Sequence, residues 1–320
     1  MKKQLIFILL IFICIFNFAQ VNWECLAPMP EGKSQHGFET CNGKLYAIAG
    51  HDNKKTFEYN PQKDIWIEKS ELPILVKWRQ SPVLRCVKNK LYCIGGYDGD
   101  GKTFSKDVWQ YDPSKDSWKL KSPMPTGRED FGSAILNNKI YCFGGIENFK
   151  TPLKVLEIYD PVKDKWDINK KEMPDCKLLG DFGVSFRGKI YAIGASSSMD
   201  NYPILNPQND VFEYNPKTDK WIKKSPIPES TCYKEVEAIR GKLYVISGVK
   251  SGNWRDSTII SSKIFEYNIK KDSWMEIQFI PFGSLGSALA VYRNKIYISG
   301  GNTNGYKGEN SHKLYSIEIK

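Results

Sequence analysis

Histidine is nearly absent from this chain: 320 residues contain only His36, His51 and His312. So few, so widely spaced, exclude a histidine-built metal centre, and no Ser-His-Asp, Cys-His or Walker pattern accompanies them. The eight cysteines form no CxxC pair and no Cys/His spacing, which excludes a zinc site as well. No metal and no cofactor is expected. Apolar residues do not recur at helical spacing, so no helix is expected. Nor is any apolar run long enough to cross a bilayer, the longest being residues 5–16. No membrane span is expected.

What is present is repetition. One phrase returns six times: NGKLYAIAG, KNKLYCIGG, NNKIYCFGG, RGKIYAIGA, RGKLYVISG and RNKIYISGG, with its Lys at 44, 90, 139, 189, 242 and 295. The steps of 46, 49, 50, 53 and 53 residues suit a blade-like unit. Each unit reads as four short strands. An alternating segment such as FGSAIL leads through a two-residue turn into a second strand that stops at a Gly pair. After a variable loop, a third strand ends in Tyr (VWQYDP, LEIYDP, VFEYNP), and a tight turn brings in a fourth strand centred on Trp.

The turns have their own chemistry. Before each repeat Lys stands Gly or Asn, the types that tolerate positive φ in a two-residue hairpin turn. Between the third and fourth strands, an Asp sits two residues before Trp66, Trp118, Trp166, Trp221 and Trp274, with Pro at the corner in four of the five. These residues read as structural.

The Gly pair, the third-strand Tyr and the fourth-strand Trp resemble kelch repeats over the whole mature chain, with Ala49, Ser247 and Ala195 departing from the Gly pair. The resemblance implies an all-β fold, a six-bladed β-propeller of four-stranded blades. The sixth unit ends in KLYSIEI without a Trp strand, and the missing piece lies at the other end, where VNWECLAPMP matches KDSWKLKSPMP. An N-terminal d strand is therefore expected to complete the last blade and close the ring. Lys2 and Lys3 before the apolar run read as a signal peptide over residues 1–19, leaving 20–320 as one secreted or periplasmic propeller. Of the cysteines, Cys41, Cys86, Cys93 and Cys142 read as small buried hydrophobes. Cys176 and Cys232 lie in corresponding loops and are not expected to pair.

Lys and Arg number 46 against 36 Asp and Glu, a formal charge of +10 that falls to about +8 without Lys2 and Lys3. Much of it lies on the a–b and c–d turns with Asp interleaved, a solvated mixed-sign face. An exported chain of this kind is not expected to bind nucleic acid, and no oligomeric interface is legible. The b–c and d–a loops on the other side are long and irregular, and binding is expected there or in the channel beneath.

Aligning the innermost strands on the repeat Lys sharpens the picture. Eleven residues before it come Lys33, Arg79 and Arg128 in three units, with Lys177 beside the fourth, a cationic arc at the channel mouth. Five residues before it stand Glu39, Arg85 and Glu237 among small or apolar residues, and Glu235 replaces a Gly two residues earlier. Charges in such a column invite a functional reading, although a Glu39–Arg85 ion pair between neighbouring blades would also explain two of them. With Trp78 and Trp254 on the loops, the arc is expected to grip a protein partner or an anionic glycan, such as an acidic peptide or a carboxylate-bearing sugar. Kelch domains use this face for partner recognition, which is what the resemblance implies. The chain is similar, in export, blade count and basic mouth, to N-acetylneuraminate epimerases. That likeness implies an alternative, a sialic acid epimerase or mutarotase in which Glu39 or Glu237, with Arg85, supplies the acid–base chemistry.

Overall fold

The structure, a computed structural model, describes residues 23–149, 152–175, 180, 182–194, 207–233, 235–246, 248–253, 257–280, 285–306 and 309–319. The expected leader, Lys177 and Trp254 lie outside them. No helix occurs among the described residues, as the missing helical period requires.

Six antiparallel four-stranded sheets follow one another. Blade 1 comprises Gly37–Cys41, Lys44–Ile48, Thr56–Asn60 and Ile65–Lys69, and blade 2 comprises Val83–Val87, Lys90–Ile94, Val108–Asp112 and Ser117–Leu120. Blades 3, 4 and 5 open with Gly132–Leu136, Gly183–Phe186 and Glu235–Ile239. Blade 6 takes Leu285–Tyr292, Lys295–Tyr306 and Leu314–Glu318 from the end of the chain and its outer strand, Glu24–Leu26, from the beginning. There Glu24 faces Ser316 and Leu26 faces Leu314. The first strands of the six blades touch in a closed cycle, each meeting the first strand of both neighbours. The chain is a six-bladed β-propeller closed by its N-terminal strand.

The a–b turns behave as their sequences require. Both central residues take positive φ in every blade, from Asn42 (52°) and Gly43 (75°) to Arg293 (47°) and Asn294 (66°), the geometry whose twist matches the strands it joins. Apolar faces of adjacent blades then pack in six separate clusters, one per blade interface; Tyr46, Ile48, Leu84, Leu91 and Tyr111 fill the one between blades 1 and 2. Trp23 joins the cluster between blades 5 and 6, so the closing segment contributes to packing as well as to pairing.

The c–d turn Asp and Trp form an inter-blade clamp. Asp116 takes positive φ (47°), accepts the Tyr111 hydroxyl at 2.6 Å and accepts the Ser70 amide of the preceding blade at 2.9 Å. Trp118 Nε1 donates to Ser70 O at 2.9 Å. The same grip recurs at Asp64 and Trp66 on Ala27, Asp164 and Trp166 on Ser122, Asp219 and Trp221 on Lys171, and Asp272 and Trp274 on Ser225. Aspartate suits the place because one short side chain tolerates the left-handed backbone and serves two donors. Asp116→Ala orphans both donors, and a urea titration should show a loss of about 2–3 kcal/mol; Asp116→Asn, which keeps an acceptor, should lose less.

One expectation is corrected. Cys41 and Cys86 are not separate buried thiols but a disulfide between the first strands of blades 1 and 2, with Cα atoms 5.6 Å apart. The repeat disguises the pair, because the two cysteines stand at different offsets from their Lys residues, three and four positions. Cys93 matches its expectation: it is buried, and burial pushes its thiol up to about 12. Cys232 is buried too, its sulfur 3.8 Å from Val249 O.

Candidate functional site

The column of cations eleven residues before the repeat Lys is present, but it faces inward. Lys33, Arg79 and Arg128 are 0 %, 2 % and 0 % exposed. Lys33 Nζ donates to Ala49 O, Asn53 Oδ1 and Lys55 O at 2.9, 2.7 and 3.0 Å, using all three of its protons. Burial nonetheless draws its pKa down to about 7. Arg79 grips Asp98 with two nitrogens at 2.7 and 3.2 Å and reaches Asp107 at 3.0 Å. Arg128 bonds Glu157 and donates to Gly144 O at 3.0 Å.

Their carbonyls stitch neighbours together. Gly301, Gly50 and Gly96, each at the second position of the Gly-pair site, donate to Lys33 O, Arg79 O and Arg128 O at 2.8, 2.8 and 2.9 Å. These glycines are needed there. A Cβ on Gly50 or Gly96 would come within 2.7 Å of the carbonyl of Ser34 or Gln80. The three cations hold the mouth loops in place and are not presented to a ligand, so the expected basic arc is not a surface feature of the mouth.

What the mouth presents is a ring one step further along. Nine residues before the repeat Lys stand Gln35, Ser81, Asp130, Gly180, Tyr233 and Gly286, and all six take positive φ, between 48° and 102°. The two glycines in this column are the sequence signal for that geometry. Four bulkier residues held there store backbone strain of order 1 kcal/mol or more each, a cost that clusters at binding sites. Gln35 donates its amide to Gly286 O and Ser81 donates to Gln35 O, at 2.7 and 2.8 Å, linking blades 6, 1 and 2 around the opening.

Inside the ring lies a cavity of about 100 Å³, lined by these six residues together with His36, Arg85, Glu235 and Glu237 among others. Arg85 lies 3.7 Å from Glu39 and donates to Leu84 O and Ser133 O at 2.9 and 3.2 Å, so it bridges blades 1 to 3. Of the residues expected to bind or react, Arg85, Glu235 and Glu237 share this cavity; Glu39 reaches it through Arg85, and Trp78 stands outside.

Two acids escaped the sequence reading. Glu129 and Asp130 are 4 % and 8 % exposed, and among the described residues neither forms an ion pair. Burial, and for Glu129 also the neighbouring Asp130, pushes both carboxyls up, Asp130 to about 6. Gln80 Nε2 donates to Glu129 at 3.2 Å, and the Tyr233 hydroxyl approaches Asp130 at 3.5 Å from across the ring.

A pH dependence follows. The folded state holds the Asp130 proton more tightly than the unfolded chain, so the stabilisation is full below about pH 4 and lost as pH rises through about 6. His36 runs the other way: burial lowers its pKa to about 3, so its contribution is full above about 6.5 and lost on acidification. The difference between the parent and Asp130→Asn isolates the first effect. The variant should be more stable by a few kcal/mol above pH 6, with the gap closing towards pH 4 in denaturant titrations.

Beside the mouth runs an aromatic ridge. His51 and Trp78 rings lie 5.0 Å apart, Trp78 and Tyr97 6.4 Å, and Tyr97, Phe104 and Phe149 form a triangle at 5.0–5.1 Å. Phe149 is 50 % exposed. The ridge is continuous with the acids, because Tyr97 pairs with Gln80 and Glu129 pairs with Ile146.

Comparison with known proteins agrees with this architecture. Residues 83–301 match the family described as the KLHDC2/KLHL20/DRC7 Kelch-repeats domain. The chain is 26 % identical to human Kelch-like protein 23 over 306 residues, 92 % of this chain and 49 % of the relative. It is 27 % identical to human Kelch repeat and BTB domain-containing protein 12 over 225 residues, 62 % of this chain and 35 % of that protein. The chain thus spans about half the length, or less, of these curated relatives. Among solved structures, the one titled "Structure of YjhT" superimposes with a TM-score of 0.77 at 19 % identity, covering 92 % of this chain and 97 % of that one. That likeness is one of fold.

Proposed function

The chain belongs to the kelch-repeat family, whose propellers generally serve as protein-interaction modules, and from that premise we propose that it is an exported recognition module. It takes a segment of a protein partner on the face made by the b–c and d–a loops, at the mouth of the central channel. The observation that carries this reading is the meeting, on that face, of a polar-lined cavity with an aromatic ridge that ends in the half-exposed Phe149. Export is supported by the charged and apolar start of the sequence and by the Cys41–Cys86 bridge, since such bonds persist in oxidising compartments.

The experiment is selection of a random displayed-peptide library on the whole protein. Binders should be retained by the parent and lost by Trp78→Ala and Phe149→Ala variants of unchanged melting temperature. Binders indifferent to both substitutions would place recognition elsewhere and end this reading.

A second reading, a sugar mutarotase, is favoured by one observation. Arg85 and Glu237 line the same cavity as Asp130, whose pKa near 6 suits proton transfer at neutral pH. NMR of fresh sialic acid should then show faster approach to anomeric equilibrium, abolished by Glu237→Gln. No acceleration with the parent protein removes it.

A further inference from the structure

Glu129 and Asp130 are adjacent in sequence, buried, and without an ion pair among the described residues. Deprotonated carboxylates in such a place need a counter-charge, and the three nearby column cations are spent on other partners. Asp130 lines the cavity with Gln35, Ser81 and Tyr233, so the counter-charge has a place to enter from outside.

A second, independent feature points to a donor-rich guest. His36 lines the same cavity, is 5 % exposed, and its Nδ1 has no hydrogen-bond partner. Its Nε2 lies 2.8 Å from Ser299 Oγ; with Nε2 donating there, Nδ1 offers a lone pair. The ring stays neutral at ordinary pH and so does not repel a cation. Arg85, the one cation on the described cavity wall, is engaged by Glu39 and two carbonyls.

Outside the cavity, Trp78 stands three residues before Ser81. Its ring and that of the half-exposed Phe149, held together by the buried Tyr97, offer faces on which a cationic or apolar flank can lie.

We propose that the channel mouth is a socket for a guanidinium or ammonium group on a basic peptide segment of the partner. Asp130, backed by Glu129, is the counter-charge, and the ridge from Trp78 to Phe149 is the bed for the flanking residues. This rests on the loop-face recognition reading and narrows it. The occupant it selects is opposite in sign to the acidic peptide or anionic glycan that the cationic column suggested, because those cations are taken up by internal partners and Asp130 lines the cavity.

The probes are N-acetyl-arginine amide, its lysine counterpart and its neutral isostere, N-acetyl-citrulline amide, followed by saturation-transfer NMR at pH 8. The arginine and lysine probes are expected to bind and citrulline to be silent, with Asp130→Asn weakening arginine by about tenfold or more. The parent protein supplies a test free of any variant: arginine binding should fade as pH falls below about 6, where Asp130 takes up its proton. Equal binding of citrulline, a flat pH profile, or silence of all three overturns the socket. Displayed peptides distinguish its failure from that of the broader reading. Binders lost in Trp78→Ala but lacking basic residues and indifferent to Asp130→Asn leave loop-face recognition standing and remove the socket.

Discussion

Arg128→Met is expected to lower unfolding stability by about 3–5 kcal/mol, which a urea titration of the purified protein would read directly. Arg128 is fully buried, and its guanidinium bonds Glu157, itself 4 % exposed. Removing the arginine leaves that carboxylate inside the protein with, among the described residues, only the Thr126 hydroxyl, at 2.8 Å, to stabilise it. It also removes the donor that satisfies Gly144 O at 3.0 Å. The double variant Arg128→Met with Glu157→Met buries no orphaned charge and should recover most of the loss, since well-packed apolar replacements of a buried pair are often near neutral. A single variant as stable as the parent would mean that the pair is solvated, and the assignment of this column to architecture would fall. Arg128 directly precedes Glu129 and Asp130, so the single variant should also weaken whatever the mouth binds.

Reduction of the Cys41–Cys86 bridge should cost about as much. Closing a loop over a sequence separation of 45 removes unfolded-state entropy worth about 4 kcal/mol at 25 °C in the chain-entropy account. The bond joins the innermost strands of blades 1 and 2, beside the Glu39–Arg85 ion pair, and so adds the one covalent staple to two blades otherwise held by packing, the clamp and non-covalent polar contacts. Adding reductant, or replacing both cysteines by serine, should lower the melting temperature by on the order of 10 °C. A midpoint unmoved by reductant would show that the thiols are not joined.

Blade count and hairpin turns were legible because they repeat at fixed offsets from the Lys, the clamp because its Asp and Trp keep a fixed spacing from each other, and ring closure because the one missing Trp strand has its match at the other end. Offsets shared by six units act as an internal alignment, and local chemistry explains them. Depth was not legible. Lys33, Arg79 and Arg128 occupy a clear column, but their partners lie 20, 19 and 29 residues on, Asn53 and Asp98 between the second and third strands and Glu157 within the third strand, Leu156–Asp160. No common spacing links cation to partner, so the column looked like an open arc. The acid pair was missed for a related reason. Glu129 sits ten positions before its Lys, in a column of Ser34, Gln80, Leu179, Cys232 and Leu285, and Asp130 nine positions before, in a column of Gln35, Ser81, Gly180, Tyr233 and Gly286; in columns so mixed a lone carboxylate resembles an ordinary loop residue. Only burial distinguishes it.

The outer strand of blade 6 has a kinetic consequence. Its residues pair with partners about 290 positions later, so during synthesis this strand must wait, unmatched, for one made much later. Five sheets can assemble from neighbouring sequence, but the wheel locks only through a contact between strands about 290 residues apart, which is slow to form. Until then the free edge of Leu314–Glu318 is open to strands of other molecules, and a helper that holds the nascent chain apart would raise the yield of closed rings.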